Sequence, residues 1–133
     1  MLRRAAIDGL ELEYEQRGRG DPVVLIHWGL CAAWGEPLMR EPALADRFRL
    51  VRYHRAGFAG SDPPSGPVTM ADHAEHCALL LRALGIERAH VVGHSSSAVI
   101  ALQFALDHRD VVATLALMEP RGPSRRRPTR RSS

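Results

Sequence analysis

The 133-residue sequence contains no lysine: all 18 of its basic residues are arginine. That absence points to a GC-rich coding sequence rather than to a binding strategy. Cysteine is scarce too. Cys31 and Cys77 are too few for a disulfide framework, so a reduced, cytoplasmic setting is expected. Long apolar runs are also missing. The opening Met1-Leu2-Arg3-Arg4-Ala5-Ala6-Ile7-Asp8 lacks the apolar stretch of a signal peptide, and no segment approaches the ~20 residues that cross a bilayer. No membrane association is expected. No internal repeat appears. His73, Glu75, His76 and Cys77 gather possible ligands on one helix, but their spacing is neither H-E-x-x-H nor H-x-x-E-H and no partner pair is evident. The expectation is no metal and no cofactor, with Cys77 packed inward.

Acidic residues are absent from the last thirteen positions, which hold Arg121, Arg125, Arg126, Arg127, Arg130 and Arg131. Removing those six arginines leaves 12 basic against 15 acidic side chains, so the net charge of +3 becomes −3 over residues 1–120. The sequence therefore divides into a mildly acidic folded part, 1–120, and an arginine-rich tail, 121–133. The tail has no apolar anchor and is expected to be disordered. It reads as a shifted reading frame more readily than as a nucleic-acid arm, and the folded part has no basic motif to support such binding.

What the chain does have is a strand, a sharp turn and a helix in succession. Ala89-His90-Val91-Val92 suits a buried strand, Gly93 permits a tight turn, and Val99 to Leu106 reads as an alanine-rich helix. Ser95 stands at the apex, beside helix N-terminal amides with their partial positive charge. Its neighbours Ser96 and Ser97 carry competing hydroxyls, but only Ser95 has the register of the apex. His94 is read as packing or hydrogen-bonding rather than carrying protons.

Around that stretch, Leu10, Leu12 and Tyr14 alternate with glutamates as a half-exposed strand near a sheet edge. Val23–His27 is a continuous apolar run covered on both faces. An irregular helical stretch follows from about Trp34 to Ala45, interrupted by Pro37 and Pro42, and Phe48–Tyr53 is the next strand. Residues 54–64 form a glycine- and proline-rich loop in which His54 either approaches a pocket or stabilises the loop. Thr69 caps a helix with Asp72 three residues on, and Met70, Ala74, Cys77, Leu81 and Leu84 form its apolar face before Gly85 stops it. His108 ends the helix after Ser95, and Val111–Met118 is a last buried-type strand. Strands alternating with helices imply an α/β fold with a mostly parallel sheet.

Gly93-His94-Ser95-Ser96-Ser97 resembles the nucleophile elbow G-x-S-x-G of the α/β-hydrolase family, with serine in place of the second glycine. His27-Trp28-Gly29 resembles the family's His-Gly segment, and Gly57-Phe58-Ala59-Gly60-Ser61-Asp62 resembles its G-x-G-x-S-D loop. Here Ala59-Gly60 is offset, and His54 stands where aspartate is common. The resemblance covers residues 7–120 and implies an α/β-hydrolase fold truncated after about the sixth strand. It implies Ser95 as nucleophile, with oxyanion donors from Ser96 and from Trp28 or Gly29. Because the dehalogenase and epoxide-hydrolase branches use aspartate at the apex, it favours ester, lactone, thioester or carbon–carbon bond hydrolysis of a small-molecule substrate.

The family's acid and base lie later in its sequence, so neither is expected here and the chain alone should barely turn over. Glu119 is either the acid or a polar strand terminus, the usual state of glutamate. Two other classes stay open: a non-catalytic binding module that keeps the pocket, and an arginine-armed nucleic-acid binder. A sheet stopped after its sixth strand would also expose Val111–Met118 as an edge for self-association.

Overall fold

A computed structural model describes residues 2–29 and 31–118. Six strands form one sheet: β1 (Arg3–Ile7), β2 (Leu10–Arg17), β3 (Asp21–Ile26), β4 (Phe48–Tyr53), β5 (Ala89–His94) and β6 (Val112–Met118). Their spatial order is β1-β2-β4-β3-β5-β6. The first two strands pair antiparallel, β2 also runs antiparallel to β4, and β4, β3, β5 and β6 are mutually parallel. The sheet is therefore mixed at one end. β2 lies near the edge, as its alternation suggested, and β1, mostly exposed, is the edge strand itself.

β3 is buried on both faces because its alternate residues enter different cores. Val24 and Ile26 join the larger cluster with Val51, Tyr53, Val91, Leu80, Leu81 and Phe104. Leu25 faces the other way, with Met39, Leu50 and Trp34. Four short or long helices cover these faces: α1 (Glu36–Met39), α2 (Pro42–Ala45), α3 (Met70–Ala83) and α4 (Ser96–Asp107). The single irregular helix expected over 34–45 is two one-turn pieces, each starting at a proline-bearing N-terminus. Proline is tolerated there because the first-turn N–H has no helical partner.

α3 begins with the full capping box read from the sequence. Asp72 N–H donates to Thr69 Oγ1 at 3.0 Å, and Thr69 N–H donates to Asp72 Oδ2 at 2.9 Å. Of its expected apolar face, Ala74, Cys77 and Leu81 are fully buried, whereas Met70 is exposed. On α4, Ile100, Ala101 and Phe104 are buried, but Val99, Leu102 and Leu106 form a second apolar stripe that faces outward. Next to it β6 has one partner, β5, among the described residues, and Leu117 and Met118 are exposed.

The glycine-rich loop after β4 is stitched to β2. Asp62 N–H donates to the Glu11 carbonyl, Glu11 N–H returns a bond to Asp62 Oδ2, and Glu13 N–H donates to Ser61 Oγ, each at 2.9 Å. Ala59 sits at φ +46°, a left-handed conformation that glycine adopts without strain. Ala59 thus fills the backbone role of the loop's second glycine. His54 belongs to this stitching: its Nδ1 lies 2.6 Å from Glu13 Oε1 and its Nε2 3.3 Å from Arg52 Nη1. It stabilises the loop, the blander of the two readings made from sequence.

Buried charge in the sheet is paired. Arg52 meets Glu15 through Nε at 3.0 Å and Nη2 at 2.9 Å, and Arg40 adds a contact at 3.2 Å. Burial alone would raise the Glu15 carboxyl pKa; the hydrogen bonds and charge of Arg52, then Arg40, overcome it and hold the group low.

Candidate active site

In an open parallel sheet, ligands bind beyond the carboxyl ends of the strands, where the order reverses. Here β4 lies on one side of β3 and β5 on the other, so the crevice falls past Ile26 and His94. The residues that leave those two strand ends are His27-Trp28-Gly29 and Ser95-Ser96-Ser97.

Ser95 occupies the corner between β5 and α4 at φ +53°, ψ −119°. A non-glycine residue in that region is strained and is kept only where surrounding structure over-determines it. The restraints are visible. Ser95 N–H donates to the Met118 carbonyl at 2.9 Å, and Ala98 N–H donates back to the Ser95 carbonyl at 3.0 Å. Gly93 is needed because strand and helix nearly touch. A Cβ there would lie 2.6 Å from the Ser97 carbonyl oxygen, 2.8 Å from Ala101 Cβ and 2.9 Å from Ala98 Cα.

Ser97, which replaces the elbow's second glycine, is fully buried and fully used. Its Oγ accepts the His94 N–H at 2.7 Å and donates to the Ile26 carbonyl at 2.6 Å, with the His94 carbonyl 2.8 Å away. This bonding separates its role from that of Ser95. Ser96 faces the other loop: Gly29 N–H donates to Ser96 Oγ at 3.2 Å. Trp28 contributes its ring and carbonyl instead. The carbonyl lies 3.0 Å from His27 Nδ1, and the ring meets the His94 ring edge-on at 5.5 Å. On the other side Trp34 stacks on His94 at 5.4 Å. Of the two donors considered from sequence, the amide directed at the elbow is that of Gly29.

His27 is buried and held in one tautomer. Its Nε2 accepts the Arg55 N–H at 2.9 Å, which leaves the proton on Nδ1 for the Trp28 carbonyl. Burial pushes its pKa down to about 4, opposed by the bond to Trp28 and assisted by the charge of Arg55. His73 is likewise pushed down to about 4 by burial, then by Arg55. Both are neutral at pH 7. Of the other histidines, His90 pairs with Thr114 at 2.6 Å and His108 with Glu75 at 3.0 Å, and the His76 ring meets that of His73 edge-on. Cys77 is buried, as its helical position implied, and burial raises its thiol to about 12. Among the described residues no three histidine, cysteine or carboxylate side chains gather as a metal site, and no helix is long and apolar enough to cross a membrane. Glu119 and the tail 121–133 lie outside the described residues.

Arg55 was missed by sequence reasoning. It follows His54 in an unremarkable loop position, yet its side chain is 5% exposed and its guanidinium carbon lies 4.6 Å above the Phe58 ring. Burial lowers its pKa against the influence of Tyr53. The nearest sequence signal was its place two residues before Gly57, in the loop stitched to β2.

Residues 22–130 match the model of the alpha/beta hydrolase fold. The chain belongs to that family. It is 34% identical over 118 residues to the dihydrolipoyllysine-residue acetyltransferase component of the acetoin cleaving system of Cupriavidus necator, covering 89% of this chain and 32% of that protein. It is 31% identical to a soluble epoxide hydrolase of Corynebacterium sp., covering 87% of this chain and 40% of the other. Among solved structures, the epoxide hydrolase CorEH superposes with a TM-score of 0.81 at 29% identity, over 88% of this chain and 41% of that one. The enol-lactonase of Burkholderia xenovorans gives 0.77 at 28% identity, over 85% and 45%. This alpha/beta hydrolase chain thus spans well under half the length of these relatives.

Proposed function

We propose that this chain carries the nucleophile and oxyanion elements of a serine hydrolase acting on an ester, lactone, thioester or related acyl or carbon–carbon substrate. The observation that carries the reading is the strained backbone of Ser95 at the junction of β5 and α4. Strain of this kind costs of order 1–3 kcal/mol and clusters at functional corners. In the reaction, Ser95 Oγ attacks the acyl carbon, and the N–H groups of Gly29 and Ser96 receive the oxygen as it becomes negative. A serine at the apex favours acyl transfer over the epoxide opening named for two of the relatives.

Among the described residues no histidine is hydrogen-bonded to the Ser95 hydroxyl. His27, His54, His90 and His108 bond to the Arg55 amide, Glu13, Thr114 and Glu75 instead. Loss of the base from a triad lowers turnover by about a million-fold, so the 133 residues by themselves turn over very slowly.

A fluorophosphonate probe tests the reading because it reports on the serine without requiring turnover. Mass mapping should place slow labelling on Ser95, with Ser95→Ala abolishing it and Ser96→Ala leaving it on the same residue. Labelling confined to Ser96 or Ser97, or none after prolonged exposure, would overturn the assignment, and the second outcome would favour a non-catalytic binding module.

A further inference from the structure

We propose that Arg55 makes the space between Gly29 and Ser96 a site for negative charge: an anionic oxygen held by the Gly29 N–H is also read by the Arg55 guanidinium. The inference rests on the reading of Ser95 as the nucleophile and adds what that site selects for.

The chain pairs its other inward-facing arginines. Arg52 has Glu15, and Arg49 bonds Gln16 at 2.8 and 3.0 Å and the Leu84 carbonyl at 3.1 Å. Arg55 is different. Its Nε and Nη1 are buried with no hydrogen-bond partner among the described residues, its guanidinium lies over the Phe58 ring, and its charge is felt by His27 and His73. Its Nη2 lies beside Gly29: a Cβ placed on Gly29 would lie 3.9 Å from Arg55 Nη2 and 3.8 Å from Ser96 Oγ. The guanidinium, the Gly29 amide and the Ser96 hydroxyl therefore border one small space. In this structure the Ser96 oxygen accepts the Gly29 N–H, standing where an anionic ligand oxygen would sit. A cation left without a counterion in a low-dielectric pocket attracts charge more strongly than it would in water.

Two sources could provide the anionic oxygen: the tetrahedral oxyanion formed on Ser95, or the free carboxylate of an acyl product. Phenylboronic acid probes the first. The Ser95 oxygen adds to boron, its proton passes to solvent, and the boron becomes a tetrahedral anion. Benzoate probes the second and forms no bond. Benzamide is the neutral control. Binding to the full chain is followed by amide shifts of Gly29 and Ser96.

At least one of the two anions should bind roughly tenfold or more tightly than benzamide. Arg55→Met should erase that preference and Arg55→Lys should retain part of it. Preference for the boronate alone, lost in Ser95→Ala, identifies the oxyanion as the ligand. Preference for benzoate that survives Ser95→Ala identifies the carboxylate. Equal binding of all three probes to the unmodified chain, no binding of either anion, or an undiminished preference in folded Arg55→Met would overturn the proposal. If Arg55→Met does not fold by circular dichroism, the unmodified chain and Arg55→Lys decide. Fluorophosphonate labelling of Ser95 without any anion preference refutes the role of Arg55 alone; anion preference without labelling refutes the nucleophile alone.

Discussion

Replacing Gly93 by alanine adds one methyl group at the tightest approach between β5 and α4. Two of the three atoms it would meet are backbone, the Ser97 carbonyl oxygen at 2.6 Å and Ala98 Cα at 2.9 Å, and the third is the Cβ of Ala101 at 2.8 Å. None can swing aside as a long side chain would, so the helix must shift. Overpacking of this kind costs ~1–3 kcal/mol. The substitution also stiffens the unfolded chain, which returns ~0.4–1 kcal/mol, leaving a net loss of about 1.3 kcal/mol at the middle of both ranges. For a domain of this size that lowers the melting temperature by roughly 4–7 °C. Gly66→Ala is the matched control, since nothing lies within 4 Å of its Cβ position. Thermal melts should show Gly93→Ala well below the unmodified chain and Gly66→Ala within about 2 °C of it. Fluorophosphonate labelling of Ser95 should slow in the first variant and not in the second. Equal melts for both variants would refute the claim that contact between strand and helix shapes the corner.

Three further outcomes are expected. Ser97→Ala strands the His94 N–H and the Ile26 carbonyl in a dry interior and should cost ~1–3 kcal/mol by denaturant melt; an unchanged midpoint would show that those bonds are not maintained. His27 titrates near 4 when folded against 6.5 when free, so the unfolded chain binds its proton first. Its contribution is present above pH 6.5, is lost as pH falls toward 4, and amounts to up to about 3 kcal/mol; His27→Gln should flatten that part of the stability–pH curve. The side of β6 without a strand partner among the described residues and the outward stripe Val99, Leu102 and Leu106 should drive self-association, seen in sedimentation as species larger than 14.7 kDa; a clean monomer at high concentration would count against it.

Elements whose signal is local were legible in the sequence. The capping box of α3, the whole of β4 and the strand–turn–helix around Ser95 each depend on residues within a few positions of one another. β1 was not legible, because Arg3-Arg4-Ala5-Ala6-Ile7 has neither alternation nor an apolar run and becomes a strand through its pairing with Leu10–Tyr14. The sequence marked α4 as apolar but did not say which apolar residues face inward: Ile100, Ala101 and Phe104 do, and Val99, Leu102 and Leu106 do not. The departures from the family pattern were visible as letters only. That Ser97 bonds Ile26, 71 residues away, that Ala59 takes a left-handed backbone, and that Arg55 lies buried beside Gly29 are long-range facts with no local signature.

The bond from Ser97 to Ile26 has a mechanical consequence. Ile26 is the residue just before His27-Trp28-Gly29, so one hydroxyl fastens the base of the amide-bearing loop to the first turn of the helix that presents Ser95. The corner that holds Ser95 and the loop that carries the Gly29 amide are thereby clamped in mutual registration by a single short bolt through the middle of the sheet, and whatever strains one half must drag the other with it.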